Sequence, residues 1–270
     1  MSNNDTGKKA RILAVTNQKG GVGKTTTAIN LAAALASTQR VLLVDLDPQG
    51  NASTGLGVDY NTRQIGSYAA LMQEAPPEKL PRPTQTPNLD IIVANTDLAG
   101  AEIELIGSDR REFRIREALE ALSGRYDVIL IDCPPSLGLL TLNALVASDA
   151  VLIPLQCEFF ALEGISQIVR TVDRVRRAFN ADLHVAGIIL TMYDRRNNLS
   201  ELVAADARNF FGDQVLETLI PRNIKISEAQ SHGCSVLEYD RRSSGAAAYL
   251  TLAQEIAQRL GLSNQKGAQS

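Results

Sequence analysis

Three stretches of this 270-residue chain hold residues whose types and spacing could do chemistry. The first is Asn17-Gln18-Lys19-Gly20-Gly21-Val22-Gly23-Lys24-Thr25-Thr26-Thr27. An apolar run, Ile12 to Val15, precedes it, and a helix-like run, Ala28 to Ala36, follows it. Strand, glycine-rich turn and helix form the context in which a backbone wraps a phosphate. Glycine reaches φ > 0 without a Cβ clash. The turn's N–H groups and the N-terminus of the next helix then face the anion. The candidate phosphate contacts are Lys19, Gly20, Gly21, Val22, Gly23, Lys24, Thr25 and Thr26. Lys24 is placed to reach the β- and γ-phosphates of a nucleotide, and the Thr25 hydroxyl to ligate Mg²⁺. Gln18 stands where the general G-x-x-x-x-G-K-[ST] pattern has its first glycine, and Lys19 adds a second cation.

The second stretch is Asp45-Leu46-Asp47-Pro48-Gln49-Gly50-Asn51. It follows Val41-Leu42-Leu43-Val44, an apolar run of the kind found in strands buried on both faces. Acids and turn formers at the carboxyl end of such a strand lie where parallel sheets hold their ligands. A plain polar turn explains the same residues, and spacing alone leaves both readings open. The third stretch is Tyr126-Asp127-Val128-Ile129-Leu130-Ile131-Asp132-Cys133-Pro134-Pro135. An apolar strand ending in Asp132 suits a Mg²⁺ ligand acting through water, because Mg²⁺ keeps part of its hydration shell. Such strands are common, so this signal has weight only beside the phosphate loop.

The elements that must position these residues alternate along the chain. Strand 11–16, helix to about Ser37 and strand 41–44 open a doubly wound fold. Further strands are expected at Leu89–Ala94, Val128–Asp132, Ala150–Leu155, Val185–Thr191 and Val215–Ile220. Helices are expected at Leu98–Ile106, Arg111–Leu122, Leu162–Phe179, Leu199–Phe211 and Ser244–Leu260. Pro76, Pro77, Pro81, Pro83 and Pro87 make residues 61–90 irregular and exclude a long helix there. The fold class is thus α/β: a doubly wound, mostly parallel twisted sheet with helices on both faces. The expected organisation is a disordered lead-in at 1–9, one domain over 10–261 and a polar tail at 262–270.

Composition narrows the function. The net charge is −3, so bulk charge argues against a general polyanion binder, and any nucleic-acid contact must come from a local patch. Aromatic residues make up 4% and Trp is absent, so no platform for stacking bare bases is evident. Cys133, Cys157 and Cys234 have no C-x-x-C spacing and indicate neither a disulfide framework nor zinc. No signal-peptide pattern and no apolar run of about 20 residues is present, which suggests a cytoplasmic protein. Arg170, Arg174 and Arg177 share one helical face, most simply a solvated one.

The segments KGGVGKTTT, VDLDPQGN, VILIDCPPSLG and IPRN, spread over residues 11–260, resemble the ParA/Soj chromosome-partitioning ATPases. These belong to the deviant Walker A, or ParA/MinD, group of P-loop ATPases. The resemblance implies ATP and Mg²⁺ as ligands, with slow, partner-stimulated hydrolysis to ADP and phosphate. It implies that Lys19 reaches across an ATP-bound sandwich homodimer to the partner's nucleotide, and that Asp47 positions or activates the hydrolytic water. Asp45 is then structural or in the outer shell of the metal. Pro221 and Asn223 of the P-R-N turn are candidates for adenine contact, although residue type alone fits an ordinary strand-to-helix turn.

The family also implies binding to double-stranded DNA without sequence preference, through Arg196, Arg222, Lys225 and Arg242. A ParB-like centromere-binding partner and nucleoid association in the cytoplasm follow from the same resemblance. The lack of a long N-terminal extension favours the short chromosomal type, although plasmid cargo stays open. Two alternatives are a MinD-like membrane-associated ATPase and a nucleotide-switched DNA-binding regulator with little hydrolysis. Leu262 to Ser270 is too polar and short for an amphipathic membrane helix. A nitrogenase-like reductase needs a cluster cysteine upstream of Cys133, and there is none.

The loop yields a direct expectation. Lys24→Ala removes a charge-assisted contact to the phosphates. Its ATP affinity, measured by calorimetry, should fall at least ~10-fold, about 1.4 kcal/mol; an unchanged affinity refutes the assignment.

Overall fold

The computed structural model describes residues 9–158 and 161–262, without the side chains of 161–163. The expected tails, 1–8 of the lead-in and 263–270, lie outside the described residues. The first half of the chain runs β1 (Arg11–Val15), α1 (Lys24–Leu35), β2 (Val41–Asp45), α2 (Asn51–Gly55), α3 (Ser67–Met72), β3 (Arg82–Pro83), β4 (Leu89–Ile92), α4 (Leu98–Glu104), α5 (Arg114–Leu122) and β5 (Val128–Asp132). The second half runs α6 (Leu139–Ala147), β6 (Ala150–Gln156), α7 (Ala161–Ala178), β7 (His184–Tyr193), α8 (Asn198–Phe211), β8 (Val215–Pro221), α9 (Ile224–Ser231), α10 (Val236–Tyr239) and α11 (Ser244–Arg259).

The strands form one sheet in the order β3-β4-β2-β5-β1-β6-β7-β8. Every pairing is parallel except that of β3, a two-residue antiparallel edge beside β4. Side chains alternate between faces along each strand, so each central strand feeds two cores. Leu13, Val15, Leu43 and Leu130 pack with α1 and α11 on one face. Ile12, Ala14, Val44 and Ile131 pack with α5, α6 and α7 on the other. This double burial explains the unbroken apolar runs in the sequence.

Helix α1 has its residues buried from Thr27 through Leu35. Its alanines let it lie close between the sheet and α11, where the Thr27 and Tyr249 hydroxyls meet at 3.5 Å. Helix α7 is the contrasting case. It buries Ile165, Ile168, Val172 and Val175 and exposes Arg170, Arg174 and Arg177, the solvated face its spacing suggested.

The crossovers run in opposite directions about the centre. From β1 the chain passes by α1 to β2 on one side, and from β5 it passes by α6 to β6 beyond β1. Loops from both paths meet at the carboxyl ends of β1, β2 and β5. Such a switch point opens a crevice at the edge of a doubly wound sheet.

Several boundaries differ from the pattern reading. The proline-rich segment contains α3, whose Ala69, Ala70 and Leu71 are buried, so 61–90 is not wholly irregular. Helix α5 starts at Arg114 because residues 111–113 form a 3₁₀ turn after Arg110, whose φ is 55°. Strand β4 stops at Ile92, and Val93 instead accepts from the Ser67 N–H. Helices α2, α6 and α10 have no counterpart in the pattern reading. The first and last are short, and α6 is apolar on most faces, so none displays a clear 3.6-residue stripe.

The close packing of β7 against β8 suggests a test. A Cβ on Gly187 falls 2.7 Å from Leu216 Cδ2 and 2.8 Å from its Cγ. Gly187→Ala should therefore destabilise the fold by about 1–3 kcal/mol. Urea unfolding should show a lower midpoint with an unchanged slope.

Candidate functional site

The turn between β1 and α1 lines a cleft and is braced by contacts from neighbouring strands. Gly21 and Gly23 have φ of 77° and 87°, the left-handed region that glycine enters without penalty. Gly23 precedes Lys24, and no side chain caps the helix. At this end of the helix the Thr27 N–H donates to the Gly23 carbonyl at 2.8 Å. The N–H groups of Lys24, Thr25 and Thr26 therefore lie in the part of the helix that has no carbonyl partner within it. Two buried side chains brace the turn from outside. Asn17 donates to the Pro154 carbonyl at 2.7 Å and accepts from the Lys19 N–H at 3.0 Å. The Thr191 hydroxyl, from β7, donates to the Val22 carbonyl at 2.9 Å. Val22 is itself buried, so only its backbone can serve a ligand.

The cleft has a volume of about 590 Å³. Its walls include Gly20, Gly21, Gly23, Lys24, Thr25, Thr26 and Asp47, with Asn51, Thr54 and Gly55 from α2. Pro135 closes one side, and Met192, Ser227, Gln230 and Ser231 another. Lys24 is only 8% exposed, and its amine donates to the Lys19 carbonyl at 3.1 Å. Burial lowers its pKa, while the charges of Asp132 and Asp47 pull it back up.

Three carboxylates gather behind this lysine. Asp45 and Asp132 are direct partners in the β2–β5 register, and Val15 pairs with Asp132 on the other side. Asp45 is fully buried and fully engaged. It accepts from the Ser53 N–H at 2.8 Å, the Ser53 hydroxyl at 2.7 Å and the Asp47 N–H at 3.3 Å. Burial still pushes its pKa up to about 6, against those hydrogen bonds. It braces α2 rather than facing the cleft. Asp47 is 8% exposed, lines the cleft, and accepts from the Gln49 N–H at 3.0 Å.

Asp132 differs from both. It is completely buried, and no donor among the described residues meets its carboxylate oxygens in good hydrogen-bond geometry, the Thr25 hydroxyl giving only partial stabilisation. Burial drives its pKa well up; the Asp45 charge and then the Asp47 charge add to this, while Thr25 and Lys24 oppose it. A buried carboxylate left without partners is costly. It is the kind of group a cation satisfies. No cluster of three or more His, Cys, Asp or Glu side chains suited to a metal occurs among the described residues. Mg²⁺ needs none, since one or two protein oxygens suffice when phosphate and water complete the shell.

Lys19 does not line the cleft. Its side chain is 46% exposed and ion-paired with Glu158, beyond the end of β6. Pro221 and Asn223 line a smaller adjoining pocket of about 230 Å³, which shares Gly23, Thr26, Met192 and Ser227 with the main cleft. Asn223 is also the N-cap of α9. It accepts from the Lys225 N–H at 2.8 Å and donates to Ser244 Oγ at 2.7 Å. Met192 was not picked out from the sequence. It holds a φ of 52°, rare for a residue with a Cβ, and touches both pockets.

The four basic candidates gather near the carboxyl ends of β7 and β8. The Arg222 N–H donates to the Tyr193 carbonyl at 3.0 Å, which sets the P-R-N turn beside the turn carrying Arg196. The Asn223–Ser244 bond brings in the start of α11, next to Arg242. Two of the four are already paired. Arg196 binds both oxygens of Asp194, at 3.1 and 3.0 Å, and holds that carboxyl down at about 2. Lys225 binds Glu228 at 2.8 Å and lies over the Tyr239 ring. Both cations remain substantially exposed, at 89% and 41%.

Cys133 and Cys157 are buried, and burial raises both thiols. No helix among the described residues is long and apolar enough to cross a membrane.

Asp132 generates a stability test. Asp132→Asn removes a buried charge, so without ligand the variant should melt above wild type at pH 8. The wild-type carboxyl has a raised pKa and takes up a proton as pH falls, so the gap should shrink toward acid. With Mg²⁺ and ATP the order should reverse. Scanning fluorimetry under these conditions reads all three outcomes, and a less stable ligand-free variant at pH 8 refutes the account.

Comparison with known proteins follows the same lines. A family model described as an AAA domain matches residues 10–185. The chromosome partitioning protein ParA of Caulobacter vibrioides is 56% identical over 252 residues, covering 92% of this chain and 94% of that one. The sporulation initiation inhibitor protein Soj of Bacillus subtilis is 53% identical over 248 residues, covering 92% and 98%. Among solved structures, cobyrinic acid a,c-diamide synthase from Mycobacterium smegmatis with bound ATP analog and magnesium superposes with a TM-score of 0.83 at 39% identity. That match covers 94% of this chain and 96% of the other. With relatives more than 50% identical that match nearly end to end, this chain belongs to the ParA/Soj family of chromosome-partitioning proteins.

Proposed function

We propose that this protein is an ATPase whose ATP-bound form is a sandwich homodimer that binds double-stranded DNA without sequence preference. Hydrolysis, stimulated by a ParB-like partner, releases the DNA and drives segregation of a chromosome or plasmid. It works in the cytoplasm, on the nucleoid. The observation that carries this reading is the meeting of Lys24 and Asp47 at one cleft, with the buried carboxylate of Asp132 close behind Lys24 and Lys19 ion-paired outside the cleft.

In this reading the turn's N–H groups and Lys24 hold the phosphates, and Thr25 and Asp132 hold Mg²⁺. The cation would neutralise developing charge on the phosphates, the main demand of phosphoryl transfer. Asp47 positions the attacking water. Pro221, Asn223 and the wall formed by Met192 receive the base. The magnesium and ATP analog in the diamide synthase structure support a nucleotide in this cleft. The higher identity to the partitioning proteins favours their activity over the synthase's.

Lys19 supports a dimer because it is superfluous in its own cleft. An exposed ion pair such as Lys19–Glu158 contributes at most about 1 kcal/mol, so a partner's γ-phosphate can displace Glu158. One cation given and one received makes the interface two-fold, the same patch on both chains.

Arg196, Arg222, Lys225 and Arg242 supply a local basic edge on an otherwise acidic chain. A few phosphate contacts per chain give weak, salt-sensitive and sequence-independent binding. Two chains double the contacts, so assembly sharply raises affinity. Asp194 and Glu228 compete with the DNA for two of these cations.

One experiment tests the chain of events. With a nonhydrolysable ATP analogue, wild type should dimerise by light scattering and retard unrelated duplexes on a gel, less strongly at higher salt. Lys19→Ala should stay monomeric and bind DNA no better than with ADP. Arg196→Glu or Lys225→Glu should dimerise yet lose the shift. Dimers of Lys19→Ala, or DNA binding by the charge reversals, would overturn the respective step.

A further inference from the structure

Asp47 has few restraints of its own. Its carboxylate accepts from the Gln49 N–H, and its carbonyl accepts from the Gly50 N–H at 2.8 Å, closing a tight turn. Its aim therefore depends on what fixes that turn. The following helix, α2, is five residues long and has no side-chain cap, so it cannot act as an anchor by itself.

The anchor on the far side is Arg63, which is only 4% exposed. One guanidinium nitrogen, Nη1, donates to the Gly50 carbonyl at 3.1 Å. The other, Nη2, donates to Thr54 Oγ1 at 2.9 Å and to the Val58 carbonyl at 2.5 Å. Thr54 in turn donates its hydroxyl to the Gly50 carbonyl at 3.0 Å. One planar fork thus grips the end of the Asp47 turn, a cleft-lining residue of α2 and the exit of that segment. The fit to Gly50 is tight, since a Cβ there falls 2.6 Å from Nη1. The Arg63 carbonyl accepts from Asn95 at 3.3 Å, which ties the clamp to the segment after β4.

We infer that Arg63 is a positioning residue for hydrolysis: by clamping Gly50, Thr54 and Val58 it fixes the turn that aims Asp47 into the cleft. The inference rests on the functional reading above. Arg63 touches neither cleft nor ligand and does not line the main pocket. Lysine is a poor substitute here, because a single ammonium does not reproduce a guanidinium's planar, two-nitrogen grip. The phosphate turn lies between β1 and α1, and Arg63 bonds instead to Gly50, Thr54 and Val58. Loss of the clamp should therefore misplace the water-positioning carboxylate and leave nucleotide binding alone. Small misplacements near reacting atoms cost about 10²-fold in rate.

The test compares wild type, Arg63→Lys and Thr54→Val in the full chain. ATP turnover is measured with DNA and the ParB-like partner, affinity for a nonhydrolysable analogue with Mg²⁺ by calorimetry, and folding by thermal melting. Arg63→Lys should keep analogue affinity within twofold and lose at least tenfold in kcat. Thr54→Val should show the same split to a smaller degree. A folded Arg63→Lys protein with wild-type kcat overturns the inference, as does a parallel loss of affinity and kcat, which marks a merely structural role. If Arg63→Lys does not fold, Thr54→Val decides by the same criteria. A wild type that binds the analogue but never hydrolyses ATP overturns the functional reading and this inference with it. Turnover by wild type beside an unimpaired Arg63→Lys overturns this inference alone.

Discussion

Asp45 and Asp132 sit opposite each other in the parallel register of β2 and β5, and Val15 of β1 completes the row. This register brings acids and phosphate turn to one edge, because parallel strands release all their following loops in the same direction. It also concentrates like charges in a dry place. Asp45 and Asp132 are completely buried, and burial raises both. Lys24 sits among these charges and is itself pushed down by burial. A divalent cation bound beside these carboxylates would offset their like charge.

The rest of the site is organised to keep that edge rigid. Asp45 and Arg63 hold the Asp47 turn and α2 from two sides, through Ser53 and through Gly50 and Thr54. Asn17 and Thr191 hold the phosphate turn from β6 and β7. Because Thr191 lies in β7, the strand that leads to the basic turn also braces the phosphate turn. Pro221, Arg222 and Asn223 of the P-R-N turn all line the smaller pocket, and Arg222 is also one of the four basic candidates, so that pocket and the basic edge share this turn.

The ion pairs at that edge have a consequence for affinity. Arg196 and Lys225 are each bound to a carboxylate of their own chain. Under the proposed DNA binding, a phosphate backbone would compete with those carboxylates, and each contact would be weak.

Much of this was legible in the chain itself. Local composition determined the phosphate turn, since glycines at 20, 21 and 23 before Lys-Thr leave few other conformations or uses. Apolar runs determined the buried parallel strands, because a strand covered on both faces cannot alternate. The acids at strand ends were visible as residues, and only the family resemblance separated the duties of Asp45 and Asp47. Asp45, Asp47 and Asp132 look alike in a sequence; burial and partners divide them into a brace, a cleft carboxylate and an unsatisfied one. Short helices such as α2 and α10 escaped because four or five residues carry too little periodicity. Arg63 escaped because a buried arginine and a surface arginine have the same letter. Its role depends on three acceptors at residues 50, 54 and 58, which meet only when the chain folds back on itself. Tertiary structure decided those matters because desolvation and hydrogen-bond partnership belong to positions in space, whereas turn and strand propensity belong to the chain.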